Sequence, residues 1–118
     1  MARRLLGADL LDEAVAELEH EVAYYERHGG PRVRDSFLEA IAVVARRIAE
    51  HPRSFPEWRG KPGVRRVVLD RFPFVIGFVV GTTSAEPPLI VVIAHAKRRP
   101  GYWLARRRPR KATRRSGC

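Results

Sequence analysis

The chain has 118 residues and a net charge of +10, a length that fits one domain able to bury a core without staples. With 45% hydrophobic and 31% charged residues, the composition is that of a globular protein, and no run approaches the roughly 18 apolar residues of a membrane span. The single cysteine, Cys118, excludes an internal disulfide and a thiolate metal cluster.

The chain opens on MARRLLGADLLDEA. Its apolar stretch is too short, and too soon followed by Asp9 and Asp12, to be a signal peptide, so a cytoplasmic protein is expected. RRLLGA is a candidate short first strand. Residues 11–27 then place Leu11, Ala14, Val15, Leu18, Val22 and Tyr25 at steps of three and four, one face of a helix. Asp9 or Asp12 is the expected cap, and acidic residues crowd the early turns, where the helix dipole favours them. Gly29-Gly30 should end this helix and Pro31 should open another. In residues 32–50 a second stripe runs through Phe37, Leu38, Ile41, Val44, Ala45 and Ile48, and His51-Pro52 stops it. Two amphipathic helices across a Gly-Gly-Pro connection read as an antiparallel helical hairpin.

After Pro52 the pattern changes. PRSFPEWRGKPG is irregular, with Trp58 as a candidate anchor. Three runs rich in strand-forming residues follow: Val64–Leu69, Phe74–Val80 and Leu89–Ala96. DRFP separates the first two and GTTSAEPP the last two, so the runs should pair as hairpins. Trp103 is expected to fold back over the core. The fold class is therefore α+β, a helical hairpin packed on a small, mainly antiparallel sheet of three or four strands. One domain is expected over 1–104. Residues 105–118, ARRRPRKATRRSGC, carry cations and no apolar period, and are expected to be a disordered basic tail.

Charge is unevenly divided. Residues 1–60 hold 9 Lys+Arg against 11 Asp+Glu, and residues 61–118 hold 14 against 2, balances of −2 and +12. The second half should meet something anionic. Of the 23 cations, 20 are Arg, whose planar fork suits phosphate and carboxylate.

Four stretches in order resemble the RelE/ParE family of toxins from bacterial type II toxin–antitoxin modules. They are AELEHEVAYYE, FLEAIAVVARRIAEHPRSFP, VRRVVLDRFPFVIGF and IVVIAHAKRRPGYW. The resemblance covers roughly residues 10–103. It implies a toxin of the plasmid-stabilisation type, needing no cofactor, metal or membrane. Its partner would be a cognate antitoxin, in a toxin–antitoxin hetero-oligomer, whose acidic segment folds onto the toxin. It also implies one of two activities. ParE-like members inhibit DNA gyrase, and RelE-like members cut mRNA on the ribosome. RFP and PGYW look more like the ParE side. A third reading is an inactive basic binding module.

RNA cleavage needs a base for the 2′-hydroxyl, an acid for the leaving oxygen and cations around the phosphate. Candidates for that chemistry are His95, Lys97, Arg98, Arg99, Tyr102 and Arg71. For binding a target they are Arg65, Arg66, Arg71, Lys97, Arg98 and Arg99. His95 reads either as a proton shuttle or as a core histidine at a strand end. The second half holds only Asp70 and Glu86 as acids, which argues against a His–carboxylate pair, unless Glu57 approaches from its loop.

Overall fold

The computed structural model describes residues 3–83, 85–97 and 102–106, without the side chains of Arg3 and Ala105. Five strands and one long helix form in the order β1 (Arg3–Leu5), β2 (Ala8–Leu10), α1 (Asp12–Glu50), β3 (Arg65–Val68), β4 (Phe74–Val79) and β5 (Leu89–His95). The three later strands fall where the apolar runs place them.

The start of the chain is more structured than expected. β1 and β2 pair antiparallel about a tight turn in which Leu6 and Gly7 both adopt positive φ, 51° and 97°. β2 then lies parallel to β5, giving a five-stranded mixed sheet of order β1-β2-β5-β4-β3. The three- or four-stranded, mainly antiparallel sheet is thus corrected to five strands. The parallel pair arises because α1 serves as part of a crossover between β2 and the later strands.

The helical hairpin is also corrected. A single helical element, α1, runs from Asp12 to Glu50 and is interrupted at Gly30, where φ is 83° and ψ is 177°. No connecting loop is needed, because one glycine supplies the turn and Pro31 follows with no N–H to satisfy. The bend is sharp. Tyr25 and Phe37 have ring centroids 4.9 Å apart, whereas twelve residues of straight helix would separate them by about 18 Å. Both apolar stripes therefore reach one core. Phe37, Ile41, Val44 and Ile48 are buried there beside Phe74, Ile76, Phe78 and Ile90, with Val15, Leu18, Val22 and Tyr25 packed against them. Leu38, by contrast, is exposed.

Neither aspartate caps α1. The cap position is Leu11, with no side-chain hydrogen bond. Its N–H donates to the Ile90 carbonyl, tying the strand-to-helix junction to β5. Asp9 stays in β2 and pairs with Arg4 at 2.7 Å. His51 ends the helix as expected.

A smaller cluster covers the other sheet face. Val64, Leu89, Val91, Val92 and Trp103 are buried in it, and the Trp103 ring lies 4.9 Å from that of Trp58. Gly77 permits this: a Cβ there would stand 2.9 Å from Val92 and 3.1 Å from the Trp58 ring. Trp58 does anchor its loop, since its N–H donates to the Val64 carbonyl and its own carbonyl accepts from Lys61.

Candidate functional site

The sequence-derived candidates separate into three places. His95, Lys97 and Arg71 lie at one end of the sheet. His95 closes β5 opposite Phe74, and its ring meets the Phe74 ring edge-on at 5.1 Å. Its Nδ1 accepts the Lys97 N–H at 3.1 Å. The Ala96 N–H donates to the Pro73 carbonyl, which brings the exposed Arg71 turn to the same end. Arg98 and Arg99 lie outside the described residues.

Arg65 and Arg66 are elsewhere. They pair with Phe78 and Gly77, so Arg65 sits four residues along β4 from His95's partner, roughly 14 Å. Alternation on β3 leaves Arg65 half-buried and Arg66 exposed. The Arg65 guanidinium donates to the Phe55 carbonyl and so serves the loop before β3. Arg66 N–H donates to the Pro56 carbonyl, while its side chain is open to solvent.

Tyr102 occupies the third place, at the edge of β5, and donates its hydroxyl to the Glu17 Oε2 atom. Sequence reasoning missed its acceptor. Glu17 projects from α1 and also accepts the Ile93 N–H at 3.0 Å. The Arg106 guanidinium grips both Glu17 oxygens, at 2.9 and 3.1 Å. The carboxylate absent from the second half is therefore supplied by the first: Glu13, Glu17 and Glu21 line a cleft with His20, His95 and Arg106. No residue near His95 in sequence signals this, and Arg106 is indistinguishable in the sequence from the arginines beside it. Glu57 does not fill the role, being exposed and bridged through its backbone to Arg65.

These bonds bear on chemistry. An acid–base pair must both reach the same scissile phosphate. Here His95 Nδ1 is engaged by the backbone, and the Tyr102 hydroxyl is held on a carboxylate that Arg106 already neutralises. Among the described residues, no group of three or more His, Cys, Asp or Glu side chains is placed to hold a metal ion.

A further groove opens where α1 crosses the β3 edge of the sheet. Ala40, Val43 and Arg47 of α1 line it with Val68 of β3 and Arg71 of the turn that follows, together with Glu39 and Asp70. Val43 and Val68 are 48% and 55% exposed, so apolar surface is on offer beside an edge strand. No described helix is long and apolar enough to cross a membrane.

Fold and site together define a class: a small α+β domain with one bent helix on a five-stranded mixed sheet and cations distributed around its rim. Residues 9–100 match the family described as ParE toxin of type II toxin-antitoxin system, parDE, and the chain belongs to that family. It is similar in fold to a solved structure described as the chromosomal ParDE TA system from P. aeruginosa, with a TM-score of 0.64 and 21% identity over 75% of this chain and 92% of that one. No curated protein sequence matches the chain.

Proposed function

We propose that this toxin acts on DNA gyrase and is neutralised by a cognate antitoxin that folds onto it. One observation carries the choice of gyrase over mRNA. His95 and Tyr102 both border the Glu17 cleft, but they are not free to converge on a phosphate there, because His95 Nδ1 takes the Lys97 N–H and the Tyr102 hydroxyl is given to Glu17. A protein that inhibits by binding needs no such convergence. Family membership over residues 9–100 supports the same reading. The exposed cations Arg66, Arg71 and Lys97 are the surface offered to the target.

The antitoxin reading rests on the groove between α1 and β3. Exposed Val43 and Val68 suit the apolar side of a segment that orders on binding, and Arg47 and Arg71 suit its acidic residues. A short reading frame for a partly acidic protein is expected beside this gene.

Two assays of the purified chain separate the activities. Inhibition of gyrase supercoiling, with intact mRNA in a translating extract read by primer extension, is the expected result. Codon-linked mRNA cuts with untouched supercoiling would replace gyrase by the ribosome as the site of action.

A further inference from the structure

The most apolar strand of the chain ends at an incomplete edge. β2 pairs with β5 at Leu89 and Ile90 and goes no further, and the Leu11 N–H takes the Ile90 carbonyl as the chain enters α1. From Val91 to His95 no described strand lies on that side. Residues 89–95, LIVVIAH, contain no Pro, Gly, Lys, Arg, Asp or Glu. A segment of that kind on an open edge pairs readily with a copy of itself. A bulge fixes which groups face outward. Gly77 pairs with Val92 and Phe78 with Ile90, leaving Val91 as the extra residue.

Two of the outward groups that follow are taken by side chains. The Ile93 N–H donates to Glu17 Oε1 at 3.0 Å. The Val91 carbonyl accepts from Arg106 Nη1 at 3.2 Å. The same guanidinium holds the same carboxylate at 2.9 Å, and the Tyr102 hydroxyl donates to the carboxylate's other oxygen. A donor for the carbonyl and an acceptor for the amide are what a neighbouring strand would present. The pair thus imitates a strand with two side chains 89 positions apart in sequence. Its side chains are 16% and 18% exposed, so the arrangement is packed and not a loose surface contact.

We propose that Glu17 and Arg106 form an edge guard, occupying the Ile93 N–H and the Val91 carbonyl on the outward side of β5 so that the strand does not pair with β5 of a second copy of this chain. The unguarded partner is a second copy because the edge is uncharged and self-complementary. Two such edges related by a two-fold axis pair antiparallel about Ile93, with Val91 of one copy opposite His95 of the other. The net charge of +10 opposes this association at low ionic strength, so the contact should show itself where charge is screened.

Sedimentation equilibrium at about 0.3 M salt, where the Debye length is roughly 6 Å, tests the guard. The intact chain is expected to remain monomeric. Glu17→Ala and Arg106→Ala are each expected to dimerise at concentrations at least about tenfold lower, with the Ile93 amide protected from hydrogen exchange in the dimer and released on dilution. Folded, monomeric single variants overturn the proposal. Arg106→Ala decides if Glu17→Ala does not fold, since Arg106 lies beyond the last strand, and failure of both to fold also overturns it by making the pair a determinant of the fold. The reversal Glu17→Arg with Arg106→Glu separates guarding from tethering. It rebuilds the ion pair but offers each backbone group the wrong partner, so it should dimerise like the single variants, and a monomeric reversal overturns the guard.

Discussion

The Tyr25 ring touches Phe37, Phe72 and Phe74, with centroids 4.9, 5.2 and 6.3 Å away. Its phenol is held above the ordinary value of 10.0 by burial first, then by the Glu21 carboxylate and by Tyr24. Unfolded chains therefore lose this proton before folded ones do. The stabilisation is complete below the unfolded value and is lost as pH rises through the higher folded value. Thermal melts should show falling stability above about pH 10, and Tyr25→Phe, which keeps the ring and lacks the proton, should flatten that alkaline limb. An unchanged alkaline limb in the variant would assign it to other groups. Trp103 works by volume instead. It is buried against Trp58 and Val92's cluster, so Trp103→Ala should cost about 3–5 kcal/mol in denaturant unfolding. The His95 ring packs edge-on against the Phe74 ring. His95→Ala should cost about 1 kcal/mol and leave growth inhibition in place. Loss of toxicity from a folded His95→Ala protein would restore the histidine to an acid–base role.

At the scale of elements, the backbone break in α1 is the point on which the core depends. Gly30 combines φ of 83° with ψ of 177°, a region that is nearly reserved for glycine. A Cβ there would meet nothing within 4 Å, so substitution probes backbone conformation alone. Gly30→Ala should destabilise by about 1–3 kcal/mol, measured by urea unfolding, and wild-type stability in that variant would argue against the left-handed turn. The Gly-Gly-Pro signal made a change of direction at this point legible in the sequence, as the stripes made the buried faces legible. What the composition did not reveal is that one residue suffices, which turns two expected helices into one bent element. The three long apolar runs were equally readable, because β-branched residues at that density have few alternatives. β1 was legible only as the candidate strand in RRLLGA, and β2 not at all: three residues carry no measurable period, and Leu6 at positive φ is not a turn signal. Asp9 looked like a cap because nothing local announces Arg4 as its partner. The candidate site was legible only where neighbours in sequence make it, as at His95 and Lys97. Glu17 meets Tyr102 and Arg106 through tertiary folding, and one chain read alone holds no trace of such a pairing.

Across the whole molecule, positive charge is concentrated toward the end of the sequence. The structured frame is described as far as Arg106, which is bound into it by Glu17. Six further cations follow it in sequence, Arg107, Arg108, Arg110, Lys111, Arg114 and Arg115. A chain ending at Arg106 therefore keeps the ion pair that faces β5 while its formal charge falls from +10 to +4. Its melting temperature should stay close to that of the full chain, since no described contact is removed. Its affinity for duplex DNA of arbitrary sequence should fall, because each phosphate neutralised by a cation releases counterions. If all six engage, the slope of log affinity against log salt should lessen by about 5. Fluorescence anisotropy over a salt series measures both quantities. An unchanged slope would assign the basic character of residues 107–118 to something other than nucleic acid. A gyrase inhibitor whose target is itself bound to DNA gains from such a term without sequence choice, because it raises local concentration near the complex while the folded rim makes the specific contact. On that account the truncated chain should inhibit supercoiling with the same maximal extent but require a higher concentration, and the difference should shrink as salt rises.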